Sequence, residues 1–353
     1  MIKKWLNRVF IDGLSGMAMG LFATLIVGTI ISQVGTLMGG AIGGYLVMMS
    51  SIAKALTGAG IGVGVAYKYK ELPLVTVSAA SAGMIGAFAS KLLAGQVIVD
   101  GVINLAGAGE PLGAFIAAYV GIELGHLVSG KTKIDILVTP IVTILGGGVV
   151  GLVVGPPISQ FMLQLGALIQ WGTEQQPFLM GIIVSVLMGM ILTLPISSAA
   201  LGVVLNLSGI AAGAAAVGCS AQMVGFAVAS FRENKFGGLM AQGIGTSMLQ
   251  VPNIVKKPII WIPPTLASAI LGPVSTIVLK MTNNAIGSGM GTAGLVGQIM
   301  GYQTMVSEGM AGSVVLAEII IMHVVAPAIL TLIIAEVMRK KGWIKDGDMK
   351  LDF

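Results

Sequence analysis

Charge is scarce in this 353-residue chain. Only 9% of its residues are Asp, Glu, Lys or Arg, against roughly 25% in a soluble domain. So few charges could not coat a water-facing globule of this length, which makes the bilayer the main solvent. Cysteine is scarcer still: Cys219 stands alone, which excludes an intrachain disulfide and a thiolate metal cluster. It sits in an apolar, small-residue run with no basic neighbour to make it a thiolate, and reads as a packing residue. Aromatics make up 5% and do not interleave with basic residues. The net charge of +5 comes mostly from Lys and Arg flanking apolar runs, a topology signal and not a nucleic-acid footprint. No HExxH, GxSxG elbow or Cys/His ligand set occurs. No cofactor, metal or catalytic residue is therefore expected.

What is abundant is apolar: 56% hydrophobic residues and a mean hydropathy of +0.97. At about 20 residues per helical span, the chain has room for about eight to ten. Spans are expected at 14–34, 38–66, 73–94, 111–129, 135–155, 177–195, 258–280 and 313–338. The second contains Lys54 and many glycines, so it should be broken or tilted. Two interrupted regions, 196–251 and 282–312, suit short helices, hairpins or re-entrant segments. The basic start is followed by an apolar run without a small-residue cleavage site, and reads as a retained first helix. Segment 156–172 is amphipathic, with Phe161, Leu165 and Leu168 on one side, and suits an interfacial helix.

The expected organisation is a transmembrane scaffold over 1–155, a linker helix over 156–176, a half with broken helices over 177–338, and a tail over 339–353. Basic clusters orient it. Lys3, Lys4 and Arg8, Lys68 and Lys70, Lys131 and Lys133, Arg232 and Lys235, Lys256 and Lys257, and Arg339 to Lys341 all fall on one face. That face is the cytoplasmic one, with both termini inside. The 95–110 connection, with only Asp100 and Glu110, fits the outer face.

Close glycines at Gly39, Gly40, Gly43 and Gly44, at Gly58, Gly60, Gly62 and Gly64, and at Gly146, Gly147, Gly148 and Gly151 lack the Lys-Ser/Thr pair and strand of a phosphate loop. Close helix packing is their expected role. Glu123 and His126 lie three apart on one helix, where a functional site and a structural ion pair both remain open. Glu318 and His323, five apart in the last span, do not share an α-helical face well.

The second half carries Pro195, Pro252, Pro258, Pro263, Pro264 and Pro273 in apolar surroundings. Proline removes a backbone donor, and freed backbone groups in a membrane survive in protein interiors or around polar cavities. Transporters use such breaks at substrate sites. Ser197, Ser198, Asn206, Thr246, Ser247, Gln250 and Asn253 lie near the breaks. Asn283, Asn284, Ser288, Thr292 and Glu308 flank the other interrupted region. Neutral hydroxyls and amides suit a small polar, sugar-like solute; the alternative is that they only satisfy broken backbones.

Lys257–Pro273, KPIIWIPPTLASAILGP, resembles the NPILFIPFILAP segment of membrane (IIC) subunits of the bacterial sugar phosphotransferase system. Gly113–Pro140, GAFIAAYVGIELGHLVSGKTKIDILVTP, looks like the helix, basic loop and I-K-(M)-P connection of the same proteins. Order and spacing also agree: five spans, an interfacial helix, then broken helices. The resemblance extends to a stand-alone IIC-like branch that includes perfringolysin O regulator-like proteins. It implies an all-α polytopic transporter fold and a homodimer built on the first half. It further implies a second half that carries sugar as an elevator, and a soluble cytoplasmic IIB partner that phosphorylates it.

Two positions depart from that pattern. Where sugar-transporting relatives have a Gly-x-His-Gly turn, this chain reads LPISSAA, with Ser197 and Ser198 near the histidine's place. Where they carry the glutamate of an Asn-x-Glu-Pro motif, Thr246 and Ser247 stand. Ser and Thr hydroxyls are too weakly acidic to replace a general base, which counts against coupled phosphorylation. The reading that follows is a permease of the bacterial cell membrane for a small polar, sugar-like solute. Ser197, Ser198, Asn206, Thr246, Ser247, Gln250, Asn253, Asn284, Thr292 and Glu308 would bind the solute by hydrogen bonds. A membrane sensor that kept the fold without turnover is the alternative, with its output at 339–353 or at the Arg232–Lys235 loop.

Overall fold

The computed structural model describes residues 2–99, 101–105 and 107–351. Asp100, assigned above to the outer connection, lies outside the described residues, as do Met1, Asp352 and Phe353. The described residues are mostly helical, with a short hairpin in which β1 (Ile98–Val99) pairs antiparallel with β2 (Val102–Ile103). It divides into two compact units, Met1–Leu163 and Gln164–Phe353.

In the first unit, α1 (Trp5–Met38) is long enough to cross a membrane. It is followed by α2 (Gly40–Ala55) and α3 (Thr57–Lys68), which meet at a 53° bend. The bend follows Lys54 directly, the place where charge and glycine predicted a break. Next come α4 (Pro73–Ala87), α5 (Ala89–Leu93) and α6 (Pro111–Val128). The last helix, α7 (Asp135–Thr173), runs 39 residues with Pro140, Pro156 and Pro157 inside it. At 1.5 Å per residue that is ~58 Å, well beyond a ~30 Å hydrocarbon core. The interfacial stretch expected over 156–172 is thus continuous with the fifth span. A pair of prolines, not a break in the helix, marks where it begins.

Small residues set the packing of this unit. α3 lies against α1 through Gly60 and Gly64, and against α4 through Gly58 and Gly62. A Cβ on Gly60 would sit 2.9 Å from the carbonyl oxygen of Gly20, and one on Gly58 2.8 Å from that of Gly83. Hydrocarbon offers no hydrophobic drive for helix association, so backbone-to-backbone approach supplies the dispersion that holds such helices together. Gly147 and Gly151 do the same between α7 and the α4–α6 pair. Gly39 and Gly40 differ: both have positive φ and open space around them, and they form the turn between α1 and α2. Leu137, Ile141, Leu145, Val149 and Val153 form an exposed aliphatic row along α7, a surface suited to lipid.

The second unit contains α8 (Pro177–Thr193), α9 (Ser198–Val204), α10 (Gly209–Ala229) and α11 (Phe231–Met240). A π-turn at Ala241–Gly245 and a 3-10 turn at Ser247–Gln250 lead to α12 (Val251–Lys256) and α13 (Pro258–Leu279). Then follow α14 (Ala285–Ser288), α15 (Val296–Ser307) and α16 (Gly312–Lys340). Among the described residues six helices are long and apolar enough to span, the bent α2–α3 pair makes a seventh, and α4 and α8 are shorter apolar helices. The protein is an all-α polytopic membrane protein, with fewer full-length spans than the roughly eight to ten expected, because the helices over 73–94 and 177–195 are short.

Two expectations are sharpened. Region 196–251 is not only short pieces: α10 is a full-length helix, buried along nearly all its length and packed by α8, α13 and α16. The Gly/Ala/Ser content that masked it as a span lets it sit at the centre. A Cβ on Gly189 would lie 2.6 Å from Gly218 O. The prolines mostly start helices instead of breaking them. Pro177, Pro252 and Pro258 occupy first-turn positions, where a missing N–H costs nothing, and Pro263 and Pro264 open the α-helical part of α13, Ile262–Pro273, after its 3-10 start Pro258–Trp261. Pro273 ends that part, and the π-turn Val274–Leu279 follows it directly.

Candidate functional site

Gln222, in mid-α10 and fully buried, is the centre of an uncharged hydrogen-bonded cluster. Trp261 Nε1 donates to Gln222 Oε1 at 2.9 Å. An indole N–H can only donate, which fixes the amide with its oxygen toward Trp261. Thr193 Oγ1 also reaches Oε1, at 3.3 Å, and Gln222 Nε2 donates to Thr265 Oγ1 at 3.1 Å. Ser247 Oγ lies 2.9 Å from Thr193 Oγ1. The single Thr193 proton has Gln222 Oε1, Gly189 O at 3.2 Å and Ser247 Oγ within reach, so Trp261 is the fixed donor to Gln222 Oε1. A buried amide without partners would cost several kcal/mol in hydrocarbon, so the cluster explains how Gln222 is tolerated there.

Of the residues singled out in the sequence, Ser247 joins this cluster. Thr246, buried beside it, accepts from the Met248 amide and caps the 3-10 turn. Gln250 and Asn253 form a second group with Gln242. Gln250 Nε2 donates to Gln242 Oε1 at 2.8 Å and Asn253 Nδ2 to Gln250 Oε1 at 2.9 Å. Ser198 donates to Gly289 O at 2.6 Å, and so ties the start of α9 to the end of α14. Ser197 is half-buried next to it. Asn206 is exposed with φ 49° and ends α9 in the left-handed conformation, which Asn adopts more readily than most residues. Asn284 caps α14, its Oδ1 accepting from the Ile286 and Gly287 amides. Thr292 is buried against Met223 Sδ, and exposed Glu308 accepts from the Thr282 hydroxyl. The ten residues therefore do not gather at one point.

Thr193, Gln222, Gln242, Trp261 and Thr265 were not singled out. Gln222 could have been found as the one amide in an otherwise small and apolar run. Gln298 was also passed over: its Nε2 lies 2.8 Å from His323 Nδ1 and 3.4 Å from Ser220 Oγ. The π-turn Ile321–Val325 carries His323, and the bonded partner of its Nδ1 is Gln298. Glu318 keeps a buried Oε2 without a hydrogen-bond partner.

In the first unit, Glu123 and His126 enter an ionic cluster whose other members lie on α1 and in the turn after α3. Arg8 binds Glu123 at 2.7 Å and Glu71 at 3.1 Å, while Glu71 meets His126 at 2.9 Å. The Arg8 guanidinium lies 4.0 Å from the Tyr69 ring centroid, and Tyr69 donates to Arg8 O. The ion pair left open above thus has Arg8 and Glu71 as its partners. Among the described residues, no group of three or more His, Cys, Asp or Glu is placed to hold a metal ion.

The family model described as Phosphotransferase system, EIIC matches residues 11–351. A search of curated proteins found no match.

Proposed function

Because the chain belongs to the EIIC family of the phosphotransferase system, matched over residues 11–351, we propose that this multi-pass membrane permease component carries a small polar, sugar-like solute across the bacterial cell membrane. The reading includes cytoplasmic termini, a homodimer held by the first half, an elevator motion of the second half, and recognition by a cytoplasmic IIB-type protein. The observation that carries it is the buried, uncharged cluster of Thr193, Gln222, Ser247, Trp261 and Thr265. Hydroxyls and an amide suit sugar hydroxyls, and an indole beside them suits a sugar face.

The cluster contains no carboxylate or imidazole. It can bind and orient a hydroxyl but supplies no base to take its proton, so transport without phosphoryl transfer is the favoured mode. Uptake of labelled monosaccharides and disaccharides into proteoliposomes tests this. Saturable uptake lost in Gln222→Leu is the expected result. No uptake of any sugar, with or without a IIB protein, would refute transport. One observation favours the sensor alternative: the C-terminal segment is bonded through Asn234 to Arg232–Lys235, which the structure shows as the start of α11 and not a loop.

A further inference from the structure

After α16 the chain leaves regular structure, turns at Gly342 and Gly347, both with positive φ, and runs back over the second unit. The Asp348 and Lys350 amides close turns onto Lys345 O and Gly347 O, and side chains read the rest of the main chain. Asn234 Nδ2 donates to Met349 O at 2.8 Å, and Asn234 Oδ1 accepts from the Leu351 amide at 2.8 Å. The Met349 amide donates to Glu233 Oε2 at 2.8 Å. Gln250 Nε2 donates to Met349 O at 3.0 Å and Asn253 Nδ2 to Lys350 O at 2.9 Å. Lys257 pairs with Asp348, whose carboxylate also accepts from the Lys345 amide. Ile344 and Met349 send their side chains into the core, beside Phe226, Ile254 and Ile260.

We propose that Asn234, Gln250, Asn253 and Lys257 form a peptide-binding site whose resident ligand is Asp348–Leu351, and that this ligand straps the 247–257 segment in place. Three features of the contact carry the assignment. Side-chain amides bind the backbone amide of Leu351 and the carbonyls of Met349 and Lys350, while Lys257 and the core around Met349 hold two of the turn's side chains. The reading groups are pre-set by a buried chain of their own, Ser230 to Gln242 to Gln250 to Asn253. The ligand is also tethered through glycine turns and a mostly exposed stretch, Lys345–Gly347, which makes release cheap compared with unwinding a helix.

The strap meets the 3-10 turn Ser247–Gln250 at one end, and Ser247 at the other end touches the Thr193–Gln222 cluster. While Met349 O is held by Gln250, that turn is fixed from the cytoplasmic-segment side. With the strap off, Gln250 and Asn253 lose acceptors and the turn gains freedom. The site itself does not depend on what is transported; only the effect of release on carriage rests on the function proposed above.

The test is hydrogen–deuterium exchange on the purified full-length protein, followed by peptide titration. The amides of Met349 and Leu351 are expected to be protected in the full chain. Loss of both Asn234 bonds to the strap in Asn234→Ala should speed their exchange about tenfold or more. Truncation after Ile344 should raise exchange across 247–257, and a synthetic peptide of residues 345–351 should bind the truncated protein and restore protection. The full chain, its site occupied, should bind the peptide far more weakly. Met349 and Leu351 amides exchanging at free-peptide rates in the full chain would overturn the proposal. So would unchanged exchange of 247–257 after truncation. If truncation prevents folding, the full-length Asn234→Ala, Asn253→Ala double variant carries the same comparison: unchanged exchange at 349 and 351 there refutes the site.

Discussion

Gln222 holds its place in a buried helix because three groups on other elements bind its amide, and those groups depend on it in turn. Replacing it with Leu keeps the volume but leaves the Trp261 N–H and the Thr265 hydroxyl without their partner. Each orphaned group costs about 1–3 kcal/mol. Gln222→Leu is expected to lower the thermal unfolding midpoint in detergent as well as to abolish uptake, whereas Gln222→Glu would bury a charge and do worse. Glu110 is a second residue whose surroundings have a measurable consequence. It caps α6 from the connection before it, and burial pushes its carboxyl up from 4.5 to about 7. Between those two values the folded protein binds a proton that the unfolded chain has released, so stability falls as pH rises from 4.5 to 7. The loss is at most about 3 kcal/mol, at about 1.4 kcal/mol per pH unit. Unfolding measured from pH 4.5 to 8 should show this slope, and Glu110→Gln should flatten it.

At the scale of elements, α3 shows what the glycine rows are for. A Cβ on Gly62 would meet the Ala79 carbonyl carbon at 2.6 Å and the Ala80 nitrogen at 3.1 Å, backbone atoms that cannot turn aside. Gly62→Val is expected to destabilise by about 1–3 kcal/mol or more through separation of α3 from α4. Gly44→Val, with nothing within 4 Å of its Cβ, should stay within about 0.5 kcal/mol; thermal unfolding of the two variants makes the comparison. Such rows were legible in the sequence because a bilayer leaves close packing as the main use for repeated small residues. The break beside Lys54 was legible for a similar reason, charge and glycine both being poor company for a straight span. The role of α10 was not legible. Its small residues lower its apolar character, and only the walls supplied by α8, α13 and α16 show that it is a central helix. Nor could spacing reveal that Thr193, Gln222 and Thr265 converge, since they lie on three helices far apart in the chain. The prolines pointed to the right half of the protein, but most of them mark helix starts.

At the scale of the molecule, the family match covers nearly the whole chain and most of both compact units. The exposed row on α7 and the enclosed α10 are built from opposite side chains. α7 exposes large aliphatic side chains, while α10 offers its neighbours mostly glycine, alanine and serine. That enclosure sets an order of assembly. A helix so rich in small and polar groups gains little by entering hydrocarbon alone, so α10 should settle only once α8 and α13 are there to receive it. Cys219, the chain's single thiol, lies at the middle of that helix with none of its surface exposed. It can therefore serve as a clock. A membrane-permeant maleimide added during synthesis should label Cys219 until the second unit closes, and not afterwards. Labelling of the finished protein at the same rate as of the nascent chain would show that α10 does not stay enclosed.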